Sequence, residues 1–286
     1  MAHMKLDRVS VAAGAFAYRW FLSIFPLIIA LLGVASLVTM PHRIVVSLIN
    51  GVTKALPAGA AKVLVQSIAN AERHIGASIT TTVVAVVVAL WSSMSGMVVV
   101  EEGLDMAFGL PADRSFVVKR AVALPLLVSA IVLGGAASAL TVFGSQIGGL
   151  VRDVVPLHGG AFSVVWTVLR WLGALILMNL LLSVFYYLAP NRRRLPWRWW
   201  SAGALISTFV WALVSLGFSL YTSKFGSFGD TYGAFAGVAI LIFWLYLSGL
   251  AILAGAEVNA AIERLRREAG TRGDRDARHS DQQVLE

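Results

Sequence analysis

The side chains in this sequence that could do chemistry are ionisable and amide groups set inside long apolar runs. Ser92, Ser95, Glu102 and Asp105 drift along one side of a helix that turns about 100° per residue. Ser23 shares the face of Arg19 one turn on, and Asn179 and Ser183 follow Arg170 in another run, again one turn apart. Glu257 comes directly after the uncharged stretch Ala234–Ala256, with Arg264 two turns later on its face. A charge sunk in hydrocarbon is costly and normally faces a partner or a water-filled passage. Arg19, Ser95, Glu102, Arg170, Asn179 and Glu257 are therefore the candidates for a substrate path or for structural ion pairs. In the first role they line a cavity, and Glu102 or Glu257 can carry a proton, because desolvation favours a neutral carboxyl. In the second role they glue helices together through hydroxyl contacts and charge pairs. Arg19 and Glu257 come out at similar depths near the inner boundary and are expected to pair.

Other chemistries lack their residues. There is no GxxxxGK[ST], GxGxxG, HExxH or GxSxG pattern. Cysteine is absent, which excludes thiol catalysis and thiolate metal sites. The five histidines, His3, His42, His74, His158 and His279, show no ligand spacing. The sequence thus points to no enzyme, no metal and no cofactor.

The elements that must position these groups follow from composition. Of 286 residues, 58% are hydrophobic and 13% charged, against the roughly 25% charge of a soluble domain. Such a chain is read as a polytopic membrane protein, all-α in class, because a helix needs about 20 apolar residues to cross a bilayer. Six stretches qualify, at about 15–38, 79–100, 121–143, 162–188, 200–221 and 234–256, giving a six-helix bundle over residues 9–265. Pro26, Pro125 and the Gly134–Gly135 pair fall inside spans, where local kinks are expected. Gly203 with Ser207, and Ser215 with Ser219, form small-residue faces suited either to internal packing or to a dimer seam.

Fifteen of the 23 lysines and arginines fall on the side that holds both termini and six on the other, so both termini are predicted to be cytoplasmic. The net charge of +8 is spread along membrane borders instead of forming a groove for nucleic acid. The loop 39–78 carries Lys62, Gln66, Asn70 and Arg73 at helical spacing opposite an apolar face, and predicts an outer cap of amphipathic helices. The polar tail, 266–286, is expected to be disordered. The opening MAHM and closing LE read as expression remnants, and no cleavable signal peptide is expected.

The connection APNRRRLPWRWW alternates arginines with tryptophans at the inner interface. Arg192, Arg193, Arg194 and Arg198 would attract anionic lipid headgroups, at roughly 1 kcal/mol each.

Three stretches, AYRWFLSIFPLIIALLG, YYLAPNRRR and GFSLYTSKFGSFGDTYGAFAGVAILIFWLYLSGLAILAGAEVNAA, closely resemble the YihY/BrkB family, most strongly from Tyr186 to Ala261. The resemblance implies a six-helix bacterial inner-membrane protein linked to envelope integrity. It also implies an association with serum resistance and with export of a lipopolysaccharide precursor. An older family label, a tRNA-processing ribonuclease, finds no metal cluster or exposed basic groove in this sequence. Two functions remain open. One is a secondary or unpowered transporter or flippase-like exporter of an amphiphilic, anionic envelope molecule, lipid or siderophore-like. The other is a non-transporting envelope-integrity scaffold. Membrane lipids and the cargo are the expected partners, with a homo-oligomer possible and nucleic acid not expected.

Overall fold

Apolar runs this long have one way to satisfy their backbone in hydrocarbon, which is to coil into helices. The computed structural model describes residues 9–23, 79–111, 113–152, 160–192, 201–224 and 228–284. Among them every regular element is helical and no strand occurs. We label residues 9–23 α1, Ile79–Phe108 α2, Phe116–Ser129 α3, Gly135–Val142 α4 and Gly144–Arg152 α5. Gly160–Leu188 is α6, Ala202–Lys224 α7 and Phe228–Val284 α8. Four helical stretches are long and apolar enough to cross a membrane: Phe116–Thr141, Phe162–Leu188, Ala202–Tyr221 and Val238–Arg266. They coincide with the last four predicted spans. The first predicted span is described only through residue 23, and the predicted amphipathic cap at 39–78 lies outside the described residues.

The kink expected around Pro125 takes a specific form. Proline has no amide hydrogen and its ring crowds the preceding turn. Five residues further on, Ala130–Gly134 widens into a π turn that joins α3 to α4 without breaking the rod. Val164, Val168, Phe209 and Leu216 are largely exposed on the outer faces of α6 and α7, as side chains facing lipid should be.

The interior is built from small residues against large ones. Phe16 of α1 lies over Gly103 of α2, where a Cβ would collide with its ring, and against Gly249 of α8, where a Cβ would be tightly crowded. Phe16, Leu104, Leu182 and Leu253 are fully buried at this centre. Helices α7 and α8 approach backbone to backbone where Gly203 meets Gly255. Asn259 seals that contact. Its Oδ1 accepts from the Gly203 amide at 2.9 Å and its Nδ2 donates to Ser201 Oγ at 3.2 Å. Ser207 donates to the Ala251 carbonyl at 2.8 Å, so the Gly203–Ser207 face serves internal packing.

Two expectations are corrected. Arg19 and Glu257 do not pair. Ala13, Phe16 and Ala17 turn the buried face of α1 inward, and Arg19, two positions past Ala17, comes out exposed on the other side. The polar tail is not a disordered segment, since α8 runs on as helix to Val284. Glu263 with Arg267 and Arg264 with Glu268 stand four residues apart, the spacing at which opposite charges support an exposed helix.

Candidate functional site

A cavity of about 350 Å³ opens between the helices. Its wall on the π turn and α4 is Ala130, Gly134, Ala137, Ser138 and Thr141, small residues at helical spacing that leave room where leucines would fill it. Its α6 wall runs from Trp171 through Ala174, Leu175, Met178, Leu181 and Leu182 to Phe185, about 21 Å at 1.5 Å per residue. Trp20, Met97, Trp211, Trp244, Leu245, Ser248 and Ile252 complete the lining. Two of the three hydroxyls in this wall, Thr141 and Ser248, are turned to protein. Thr141 donates to the Ser138 carbonyl at 2.9 Å; Ser248 donates to the Trp244 carbonyl at 2.9 Å and accepts from Trp211 Nε1 at 3.1 Å. What remains is an apolar, tryptophan-rich chamber with one buried donor, Trp20 Nε1, that has no acceptor.

A cation stands beyond one end. Arg170 lies one turn before Ala174, and its Cδ sits 2.7 Å from where a Gly144 Cβ would be, so only glycine there lets the side chain lie across α5. Its Nε is buried without an acceptor.

The opposite end is closed by charges. Glu101 and Asp105 of α2 are buried, at 0% and 2% exposure. Both lie past the end of the predicted span 79–100. Burial pushes each carboxyl above its ordinary value, opposed at Glu101 by Arg114 and at Asp105 by the Asn191 amide. Arg114 Nη1 is 2.6 Å from Glu101 Oε1 and donates to the Ala189 carbonyl, 2.7 Å away; neither Glu101 oxygen meets hydrogen-bond geometry, so the Glu101 contact is one of charge more than of aligned hydrogen bonding. Asp105 accepts from the Asn191 amide at 2.6 Å, and Asn191 Nδ2 donates to Asp113 at 2.7 Å. Arg192 pairs with Glu263, donates to the Tyr186 carbonyl at 3.1 Å and covers the Phe108 ring at 4.3 Å. Gly109 ends α2 with a positive φ of 68°, and Leu110 and Gly109 return their amides to the Asp105 and Met106 carbonyls.

The residues singled out from sequence scatter around this arrangement, and none of the six path candidates lines the cavity. Ser95 accepts from Arg120 Nη2 at 3.1 Å, on the flank where Arg120 also covers the Trp91 ring at 4.7 Å. Glu102 is exposed and paired with Lys119 at 2.6 Å. Arg19 is exposed, and Glu257 is half-buried with no ion pair among the described residues. Asn179 is buried in α6 and its Nδ2 has no acceptor. Arg170 directly precedes the lining residue Trp171, and Asn179 directly follows the lining residue Met178. Arg192 is held by Glu263 instead of facing outward, and Arg193, Arg194 and Arg198 lie outside the described residues. Glu101 and Arg114 were missed. The available signal was spacing, since Glu101 stands four residues after Met97 and three before Leu104, on the apolar side of α2, whereas Glu102 does not.

Helices of this length and apolarity define a membrane protein. The chain belongs to the BrkB virulence-factor family, whose model matches residues 1–281. It is 32% identical over 250 residues to the putative ribonuclease-like protein YfkH of Bacillus subtilis, covering 87% of this chain and 88% of that one. It is 29% identical over 266 residues to a UPF0761 membrane protein of Vibrio atlanticus, covering 92% of this chain and 80% of the other. A UPF0761 membrane protein of Vibrio cholerae is 28% identical over 269 residues, with 92% and 84% covered. No solved structure matches the chain.

Proposed function

We propose that the chain is a multi-pass protein of the bacterial inner membrane, with six spans and both termini in the cytoplasm, that moves an amphiphilic, anionic envelope molecule across the bilayer. Transport is secondary or unpowered, in the manner of a flippase. The observation that carries this reading is the apolar cavity beside Arg170. At about 30 Å³ per water-sized group, 350 Å³ takes about a dozen such groups, the bulk of one acyl chain. Apolar walls with few polar groups are what ligand sites for such chains present. Arg170 supplies a cation where an anionic headgroup would emerge, and tryptophans tolerate both. The ribonuclease-like wording belongs to the Bacillus relative's name, and the geometry described here gives it no support.

The test is movement of fluorescent lysophosphatidylglycerol in proteoliposomes, comparing the parent with Ala174→Phe, which fills the cavity from the α6 wall. The reading expects flux in the parent and at least about tenfold less in the variant, equivalent to about 1.4 kcal/mol in the barrier. No flux in the parent for any acyl-chain amphiphile sinks it and leaves the envelope-integrity scaffold, in which the cavity is a packing defect.

A further inference from the structure

The cavity has a floor, and one arginine holds it shut. At the basic end the lining consists of Met97 from α2, Phe185 from α6 and Ile252 from α8. One helical turn further along each helix stand Glu101, Ala189 and Ala256, and all three are 0% exposed. These three buried residues stand between that end of the lining and the ends of their helices. Arg114 enters there from the connection between α2 and α3, whose described residues, 109–111 and 113–115, are not helical and which begins at Gly109 with its φ of 68°. It places Nη1 2.6 Å from Glu101 Oε1 and 2.7 Å from the Ala189 carbonyl, so it bridges two of the three helices. Neither Glu101 oxygen accepts a well-aligned hydrogen bond, so the charge of Arg114 is what compensates the buried carboxylate. The α6–α8 edge of the floor is joined separately, by Tyr186 donating to the Ile252 carbonyl at 2.7 Å.

We propose that Arg114 is the bolt of a gate at the basic end of the cavity, and that withdrawing the 109–115 connection opens the chamber to the cytoplasm. Three features support a gate over a fixed strut. The cation sits on a short irregular connection hinged at a glycine, not on a helix. It satisfies an orphan carbonyl at the end of α6, a group that water can satisfy equally well once the connection swings away. The connection is also latched from its own side, because Asn191 Nδ2 donates to Asp113 at 2.7 Å, while Asp105 of α2 holds the Asn191 amide separately. A buried ion pair makes the closed state discrete, because removing one partner strands the other.

This inference rests on the transport reading for its purpose, but its test does not measure transport. The chain has no cysteine, so a single one can be introduced without background. Met178→Cys places a thiol in the cavity wall. Its labelling by a charged, membrane-impermeant maleimide is followed in sealed vesicles of the full chain, from each side in turn. With Arg114 intact the reaction is slow from the basic face. Adding Arg114→Gln is expected to raise the rate from that face by about tenfold or more, as a shifted two-state equilibrium requires. Arg114→Lys, which keeps the charge, restores slow labelling at least in part. Arg120→Gln, which removes a guanidinium from the α2–α3 flank, leaves the rate unchanged. Equal rates for the parent and Arg114→Gln overturn the gate, even if lipid flux is observed. If Arg114→Gln does not fold, hydrogen exchange of the parent decides. Amides of 109–115 and 189–192 opening as one unit support the bolt, and independent exchange overturns it. Faster labelling without any lipid flux leaves the gate standing and removes only the transport reading.

Discussion

Gly203→Ala is a small perturbation with a large expected effect. The added Cβ would overlap the Gly255 carbonyl and lie 2.6 Å from Asn259 Nδ2. Both the Gly255 carbonyl and Asn259 lie in its way, so α7 and α8 must be forced apart and Asn259 must withdraw. Overpacking of a close contact costs about 1–3 kcal/mol. Withdrawal of Asn259 forfeits its bonds to the Gly203 amide and to Ser201, each about 0.6 kcal/mol between membrane helices. The loss should total about 2–4 kcal/mol. Gly217→Ala, on the same helix, meets nothing within 4 Å and gains helix propensity, so it should be neutral or slightly stabilising. Denaturant titration in lipid–detergent bicelles, read by tryptophan fluorescence, compares the two directly. If Gly203→Ala is as stable as Gly217→Ala, the backbone contact between α7 and α8 is not as described, and the placement of the cavity wall on α8 falls with it.

Asp105→Ala should cost about 1–3 kcal/mol by stranding the Asn191 amide, whereas Asp105→Asn keeps an acceptor and should cost less than about 1 kcal/mol; denaturation midpoints in bicelles separate the two, and equal losses would show that the bond is not the reason. The pH dependence of the same midpoint tests the burial of Glu101 and Asp105. Their folded values are raised, so the stability they contribute is complete below the unfolded values near about 4 and is lost as pH rises through the folded ones. Between about pH 5 and 8 the parent should therefore lose more stability than the Glu101→Gln, Asp105→Asn double variant, and identical slopes would contradict it.

The apolar helices were legible because hydropathy over a span's length is a local property, so four apolar helical stretches overlap the predicted spans 121–143, 162–188, 200–221 and 234–256, although the last runs from Val238 to Arg266. The site was less legible. A polar residue's depth can be counted along its helix, but its facing depends on which neighbours pack there. Glu102 and Glu101 are adjacent and differ only in azimuth, yet one pairs at the surface with Lys119 and the other sits beneath Arg114. Arg114 itself comes from a connection, where no periodicity announces a contact. The cavity is written in small residues, Gly134, Ala137 and Ala174, which in sequence are indistinguishable from close-packing positions such as Gly203 and Gly255. Whether such a face is filled or empty is decided by what stands opposite it.

Quenching of tryptophan fluorescence by a single-chain lysolipid brominated along its acyl tail puts the chamber itself to the test. Trp20, Trp211 and Trp244 line it, so the parent should show a saturable component of quenching that Ala174→Phe abolishes while the linear component from lipid at the outer surface stays. Quenching that is linear in both proteins, with no saturable part to lose, would mean that no acyl chain enters between these helices.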